Sequence, residues 1–131
     1  MAEIPVGAAR EEQVLVTTDI AVDFLGSEDA RVLGTPFMIA HMEITSRNLI
    51  KGFLEDGFDT VGTQVNVRHL AASPIGMSVR FRAEILEVQD RRVLCKVEAH
   101  DEKEKIGEGT HERAVIHVAK FAERLKRKIA G

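Results

Sequence analysis

Apolar positions recur along this chain with two periods, and the change from one to the other divides the sequence. From Thr35 to Leu54 the spacing is helical. Thr35 is suited to accept a hydrogen bond from a first-turn N–H, and Pro36 fits the first helical position, where its missing N–H would be unpaired anyway. Phe37 to Met42 is apolar on nearly every side, which predicts a buried helix. Gly52, or at the latest Glu55-Asp56-Gly57, supplies the stop.

Beyond that stop the period falls to two. Val61, Thr63, Val65, Val67 and His69 share one face of a strand from Thr60 to Leu70, with Gly62, Gln64, Asn66 and Arg68 on the other. His69 is therefore expected on the inward face, provided no bulge intervenes. Ala71 to Gly76 is a turn by its Pro and Gly. Met77, Val79, Phe81, Ala83 and Ile85 then alternate with polar residues, and the register blurs at Ile85-Leu86, where a bulge is expected. Gln89 to Arg92 turns the chain into Val93, Cys95, Val97 and Ala99, and Asp101 to Glu104 turns it again. In the last strand, Lys105 to Val118, Gly107 and Gly109 mark a bend or a close backbone approach.

The two ends are less regular. Residues 1–11 read as a frayed arm, and Glu12 to Thr18 is β-branched and strand-like. Asp19 to Leu33, which holds Phe24, Leu25 and the turn-rich Gly26-Ser27-Glu28-Asp29, is long for a connection and of the kind that forms lids or short irregular helices. The tail from Ala119 is helical, with Val118, Phe121, Ala122, Leu125 and Ile129 on one stripe. Lys126, Arg127 and Lys128 suit the negative end of its dipole and read as a solvated helix end rather than a nucleic-acid patch. The order strand, helix, four strands, helix predicts one α+β domain over residues 1–131, a long helix against an antiparallel sheet. A sheet this small leaves a long edge strand, and pairing with a second copy would cover it, so a homodimer is expected.

Composition narrows the function without choosing it. Eighteen basic against twenty-one acidic residues give a net charge of −3, which argues for neither a nucleic-acid binder nor a polybasic membrane protein. No apolar run reaches the ~20 residues of a membrane helix, and the first residues lack a secretory pattern. The lone Cys95 excludes an intrachain disulfide. A cytoplasmic location is expected. His41, His100, His111 and His117 show no spacing that assembles a metal site, and no metal or organic cofactor is expected.

Four polar groups stand out. Glu43 is a carboxylate inside the apolar helix, where such a group must find a cation, take up a proton or face a pocket. Thr35 alone reads as a helix cap, His69 alone as a hydrogen-bonded core histidine, and Arg113 as a carboxylate's partner. Together a hydroxyl, a carboxylate and an imidazole at apolar positions are the ingredients of assisted nucleophilic or general-base hydrolysis. Thr35 and Glu43 are eight residues apart, roughly 12 Å along a helix and about 80° around it. Either His69 bridges them, or the two act from different copies of the chain.

Several segments carry a resemblance. Thr35-Pro36-Phe37-Met38 with Glu43, Val61-Gly62-Thr63, His69 through Gly76, Val97 through Asp101, and Gly109-Thr110-His111-Glu112-Arg113-Ala114-Val115-Ile116 together resemble the fluoroacetyl-CoA thioesterase family of hotdog-fold proteins. The resemblance implies a hotdog fold, a long central helix wrapped by an antiparallel sheet and paired into a dimer. It also implies a catalytic set of Thr35, Glu43 and His69, with Gly62, Arg113 and Phe37 at the substrate. The family's fluoroacetyl-specific member has an aromatic lid before the helix. Here that region reads Gly26 to Arg31 with Phe24 the nearby aromatic, and no fluoroacetyl selectivity is assigned. The expected activity is hydrolysis of a small acyl-CoA thioester. Two rivals keep the fold: a hydratase of enoyl- or hydroxyacyl-thioesters, and a non-catalytic acyl-CoA or small-ligand binding module.

Overall fold

The computed structural model describes residues 3–131. Strand β1 (Ala9–Leu15) is followed by two single 3-10 turns, helix α1 (Thr35–Lys51), strands β2 (Phe58–His69), β3 (Ser78–Gln89), β4 (Arg92–His100) and β5 (Lys105–His117), and helix α2 (Val118–Ala130). The strands form one antiparallel sheet in the order β1-β3-β4-β5-β2. α1 lies across its inner face and touches every strand.

The alternation in β3 and β4 gives that inner face. Phe81, Ala83 and Ile85 pair across the ladder with Ala99, Val97 and Cys95, and these six and Val79 are buried. The expected bulge falls between Ile85 and Glu87. Met38, Met42, Leu49 and Ile50 of α1 pack onto this surface. Room for them comes from a missing side chain on β5. A Cβ on Gly107 would lie 2.6 Å from the Met38 sulfur and 3.1 Å from the Met42 methyl. The glycine is the close approach that the sequence marked.

Three expectations change. Residues 9–11 belong to β1 and Ile4 is buried, so the frayed arm is at most shorter than expected, and residues 1 and 2 lie outside the described residues. β1 is fixed to α1 through the Glu12 carboxylate, which accepts from Asn48 Nδ2 at 2.8 Å and Arg10 Nε at 2.6 Å. α1 begins after Gly34, and Thr35 does not cap it: no side-chain cap bond is made there. Nor is the helix buried all round. Met38, Met42, Thr45, Ser46, Leu49 and Ile50 face the sheet while Phe37 and Ile44 stay open. The reason is geometric, since one sheet covers only one side of a helix. α2 forms as expected but has no buried residue; Phe121 is half-buried and Ile129 is exposed.

The largest departure is in β2. It pairs with β5 from Phe58 to Gly62, slips by one residue at Thr63, and resumes from Gln64 to His69. A one-residue bulge exchanges the two faces of everything beyond it. Thr60 and Gly62 therefore face the helix before the bulge, and Val67 and His69 after it. The single inward face expected from Val61 to His69 is right for its second half and reversed in its first. Thr63 itself points out and donates to Glu112.

Gly107→Ala is expected to destabilise the fold by about 1–3 kcal/mol, because the added methyl meets a filled core at a rigid backbone position. Urea unfolding measures it, and an unchanged midpoint would show that the methionines yield freely.

Candidate functional site

Two polar clusters lie along α1, one at its start and one near its middle. The first is at the start of α1. Thr35 Oγ1 and His69 Nδ1 are 2.7 Å apart, joining the first turn of the helix to the last residue of β2. The pair lies in an open groove of about 420 Å³, with Val22, Phe24, Leu25 and Val32 on one side and Leu70 and Ala71 on the other. The other imidazole nitrogen, Nε2, is buried and has no hydrogen-bond partner among the described residues. Burial holds the His69 pKa below the ordinary histidine value of 6.5, so the ring is neutral at pH 7. A neutral imidazole against a hydroxyl, in apolar surroundings, has the chemistry to take up the hydroxyl's proton.

The second cluster surrounds Glu43. Its carboxylate is 3.7 Å from Arg113 Nη1 and is 41% exposed, so the buried, unpaired acid expected from the sequence is instead a half-open one beside a cation. It borders a groove of about 400 Å³ lined by Ala40, Ile44, Arg47, Asn48 and Arg113. Arg113 is buried and fixed by β2: its Nε donates to Thr60 Oγ1 at 2.7 Å and its Nη2 to Thr60 O at 2.8 Å. Arg113 Nη1 also donates to His111 Nε2 at 3.1 Å. Because a guanidinium can only donate, that nitrogen must accept, which leaves Nδ1–H to donate to Gln64 O at 2.8 Å. His111 is thus a neutral tautomer fixed at both ends. Burial lowers its pKa, and the Gln64 bond only partly opposes this.

Gly62 belongs to the second cluster. A Cβ there would lie 2.9 Å from Glu43 Oε2, 3.1 Å from His111 Cε1 and 3.5 Å from Arg113 Nη1. The absent side chain is what lets the carboxylate approach the strand. Phe37 lines neither groove; it is 40% exposed on the open side of α1. Cys95 is no rival nucleophile, since burial pushes its thiol up to about 11 and keeps it protonated. Among the described residues no group of histidine, cysteine and acid is placed to hold a metal ion.

Within one chain the two clusters do not meet. His69 reaches Thr35, whereas the polar neighbour of Glu43 is Arg113, two helical turns away and roughly 12 Å along the axis. His69 does not bridge them. Sequence reasoning missed Thr60 and His111. The signal was present as two polar residues, His111 and Arg113, at the two-residue period of a buried strand face.

Comparison with known proteins bears on this geometry. Residues 16–119 match the family model of the fluoroacetyl-CoA-specific thioesterase, FlK. The fluoroacetyl-CoA thioesterase of Streptantibioticus cattleyicolor is 41% identical over 102 residues, which cover 78% of this chain and 73% of that protein. A solved structure of the fluoroacetyl-CoA thioesterase FlK superposes with a TM-score of 0.87 at 36% identity, over 96% of this chain and 98% of that one. A thioesterase-superfamily protein of Thermus thermophilus gives 0.87 at 34% identity, over 99% and 96%. A hot-dog-like protein from Thermanaerovibrio acidaminovorans, 23% identical, gives 0.89 over 98% and 95%, a likeness of fold.

Gly62→Ala is expected to destabilise the fold by about 1 kcal/mol or more, since the methyl meets the fixed ring of His111 at 3.1 Å as well as the mobile end of Glu43. It should also turn the carboxylate away from Arg113. A crystal structure with a melting curve checks both; an undisplaced Glu43 would contradict the packing described.

Proposed function

The chain belongs to the fluoroacetyl-CoA-specific thioesterase family and is a hotdog-fold thioester hydrolase, and on that footing we propose that it hydrolyses a small acyl-CoA thioester at a site built from Thr35, His69 and Glu43. The observation that carries this is the 2.7 Å pair of Thr35 and His69 in an apolar groove, with the far imidazole nitrogen buried and unpartnered. Thr35 Oγ1 donates its proton to neutral His69 Nδ1 as the oxygen attacks the thioester carbonyl. The oxyanion forms at the positive end of α1. The proton passes to the departing CoA sulfur, and water then releases the acid from the threonine ester with the same imidazole as base.

In this tautomer Nε2 carries a hydrogen that needs an acceptor. Glu43 supplies it, and because the clusters are apart within one chain, it does so from a second copy. The open edge of β2 and the uncovered Phe37 and Ile44 support that assembly. The working unit is thus a homodimer of single-domain chains, with Gly62 and Arg113 seating the carboxylate and Phe37 at the seam near the substrate. No metal or organic cofactor takes part. A cytoplasmic setting agrees with a single buried thiol, Cys95. Complexes of FlK with acetyl-CoA and with fluoroacetate and CoA support the substrate class.

Thiol release from a panel of acyl-CoA substrates tests the reading. His69→Ala and Glu43→Ala are each expected to lower turnover by orders of magnitude, about 10²-fold or more, while the dimer stays folded. Normal turnover in both would end the assignment. Mixing Thr35→Ala with Glu43→Ala chains should restore about a quarter of parental activity, because half the dimers are mixed and each holds one intact site; no recovery would place the whole site in one chain.

The pH profile gives a second check. The base works when neutral; burial lowers its pKa in the single chain and a carboxylate from a second copy raises it, so kcat/KM should fall on the acid side and Glu43→Gln should move that limb to lower pH. An acid limb that Glu43→Gln leaves in place would separate Glu43 from His69.

A further inference from the structure

Thr35 and His69 are 34 residues apart in the chain, and two stretches of backbone bring them together. Thr35 follows the limb that leads into α1, and His69 is followed by the turn from Leu70 to Gly76. Ser73 joins the two stretches. Its carbonyl accepts from Leu33 N–H at 2.9 Å, and Val32 and Pro74 form an antiparallel bridge beside it. Leu33 stands just before Thr35 and Ser73 just after His69, so the backbone closes a ring whose far side is the hydroxyl–imidazole contact.

The ring is moored by one side chain. Ser73 is fully buried, and its hydroxyl donates to Asp101 Oδ2 at 2.8 Å. Asp101 opens the turn between β4 and β5. Its Oδ1 accepts from Lys103 N–H at 2.8 Å and Glu104 N–H at 2.9 Å, and its own N–H donates to Glu104 O at 2.9 Å. Burial opposes ionisation of Asp101, but the two N–H groups and the Ser73 hydroxyl together hold its pKa below the ordinary range. β5 leaves the same turn and fixes the histidine: Gly107 pairs with His69, and Leu70 N–H donates to Ile106 O at 2.6 Å. One hairpin turn thus holds both members of the pair, His69 through the ladder and Thr35 through Asp101, Ser73 and Leu33.

Resting on the reading of Thr35 and His69 as the hydrolytic pair, we propose that Ser73 and Asp101 are positioning residues, whose hydrogen bond sets the separation of that hydroxyl and imidazole. Neither residue lines the groove of the pair, so their effect reaches the reaction only through it. Cohesion alone would not call for a polar group here. An apolar side chain would fill the space of Ser73 without the cost of desolvating a hydroxyl, whereas a hydrogen bond adds a fixed length and direction.

The experiment measures kcat and KM for thiol release by Ser73→Ala, Asp101→Ala and Asp101→Asn dimers, and the Thr35–His69 separation in crystals of each. Ser73→Ala and Asp101→Ala should lower kcat about tenfold or more with KM within about twofold of the parent, because a misplacement of about 1 Å can cost as much as 10²-fold. In both, the pair should stand beyond hydrogen-bond distance. Asp101→Asn should recover most of the loss, since its amide can donate to the Ser73 oxygen while its carbonyl keeps the turn. Parental kcat in folded Ser73→Ala, or a pair still in contact there, would overturn the proposal whatever the melting temperature. A bond that served cohesion alone would lower stability and leave kcat unchanged. If one alanine variant does not fold, the other gives the same two readings. If the parent released no thiol from any acyl-CoA, the hydrolytic reading would fail instead, and the separation in the crystals would still decide the role of the bond.

Discussion

The bulge at Thr63 is the constraint on which the site depends. β2 is twelve residues long and runs beside α1, and its two halves have to present inward side chains to the middle and to the start of that helix. Thr60 and Gly62 must face in to seat Arg113 and admit Glu43, and His69 must face in to meet Thr35. A regular strand cannot do both, because residues 60 and 62 share one face and residue 69 takes the other. One extra residue in the strand removes the conflict. Without it either the imidazole or the arginine's anchor would point to solvent.

The two polar clusters differ in kind. At the helix start a hydroxyl and a neutral imidazole sit among aliphatic side chains, and burial favours the uncharged base. Two turns on, an ionised pair lies at the rim of the sheet with the arginine dry and the carboxylate half in water. Arg113 pays for its burial through two bonds to Thr60 and one to a histidine that burial keeps neutral. Arg47 and Asp59, joined by two bonds, continue the ionised side along α1. The helix therefore separates a neutral hydroxyl–imidazole pair from a cluster of fixed charge. The hydrolysis proposed across two copies would bring one of each together.

Small residues shape both. Gly62 lets a carboxylate approach a strand, and Gly107 lets two methionines lie against the sheet under the same helix. Neither glycine is needed for a turn; each is there for the volume it does not fill. Arg31 follows a similar economy: its guanidinium donates to the carbonyls of Thr18, Ala21 and Val22, ordering the long segment before α1 by bonds at its neck rather than by a core of its own.

Much of the fold was legible in the sequence. Strict alternation from Met77 to Ala99 identified the central hairpin and its bulge, and the helical run after Gly34 identified α1, with a stop at Gly52 or by Gly57 of which the fold uses the first. These signals are local: a strand or helix that buries one face must write its period into the chain. Thr35, Glu43 and His69 stood out for the same reason, as polar residues in apolar runs. What the sequence could not contain was the pairing. Thr35 read as a cap because capping is local, and only the folded chain offers its hydroxyl an imidazole from 34 residues away. Glu43 read as buried because a helix sequence does not say which side the sheet leaves uncovered. The slip at Thr63 is decided by the register between β2 and β5, a match between two strands 49 residues apart at Thr63 and Glu112. Period belongs to the sequence; register, and with it the company each polar group keeps, belongs to the tertiary structure.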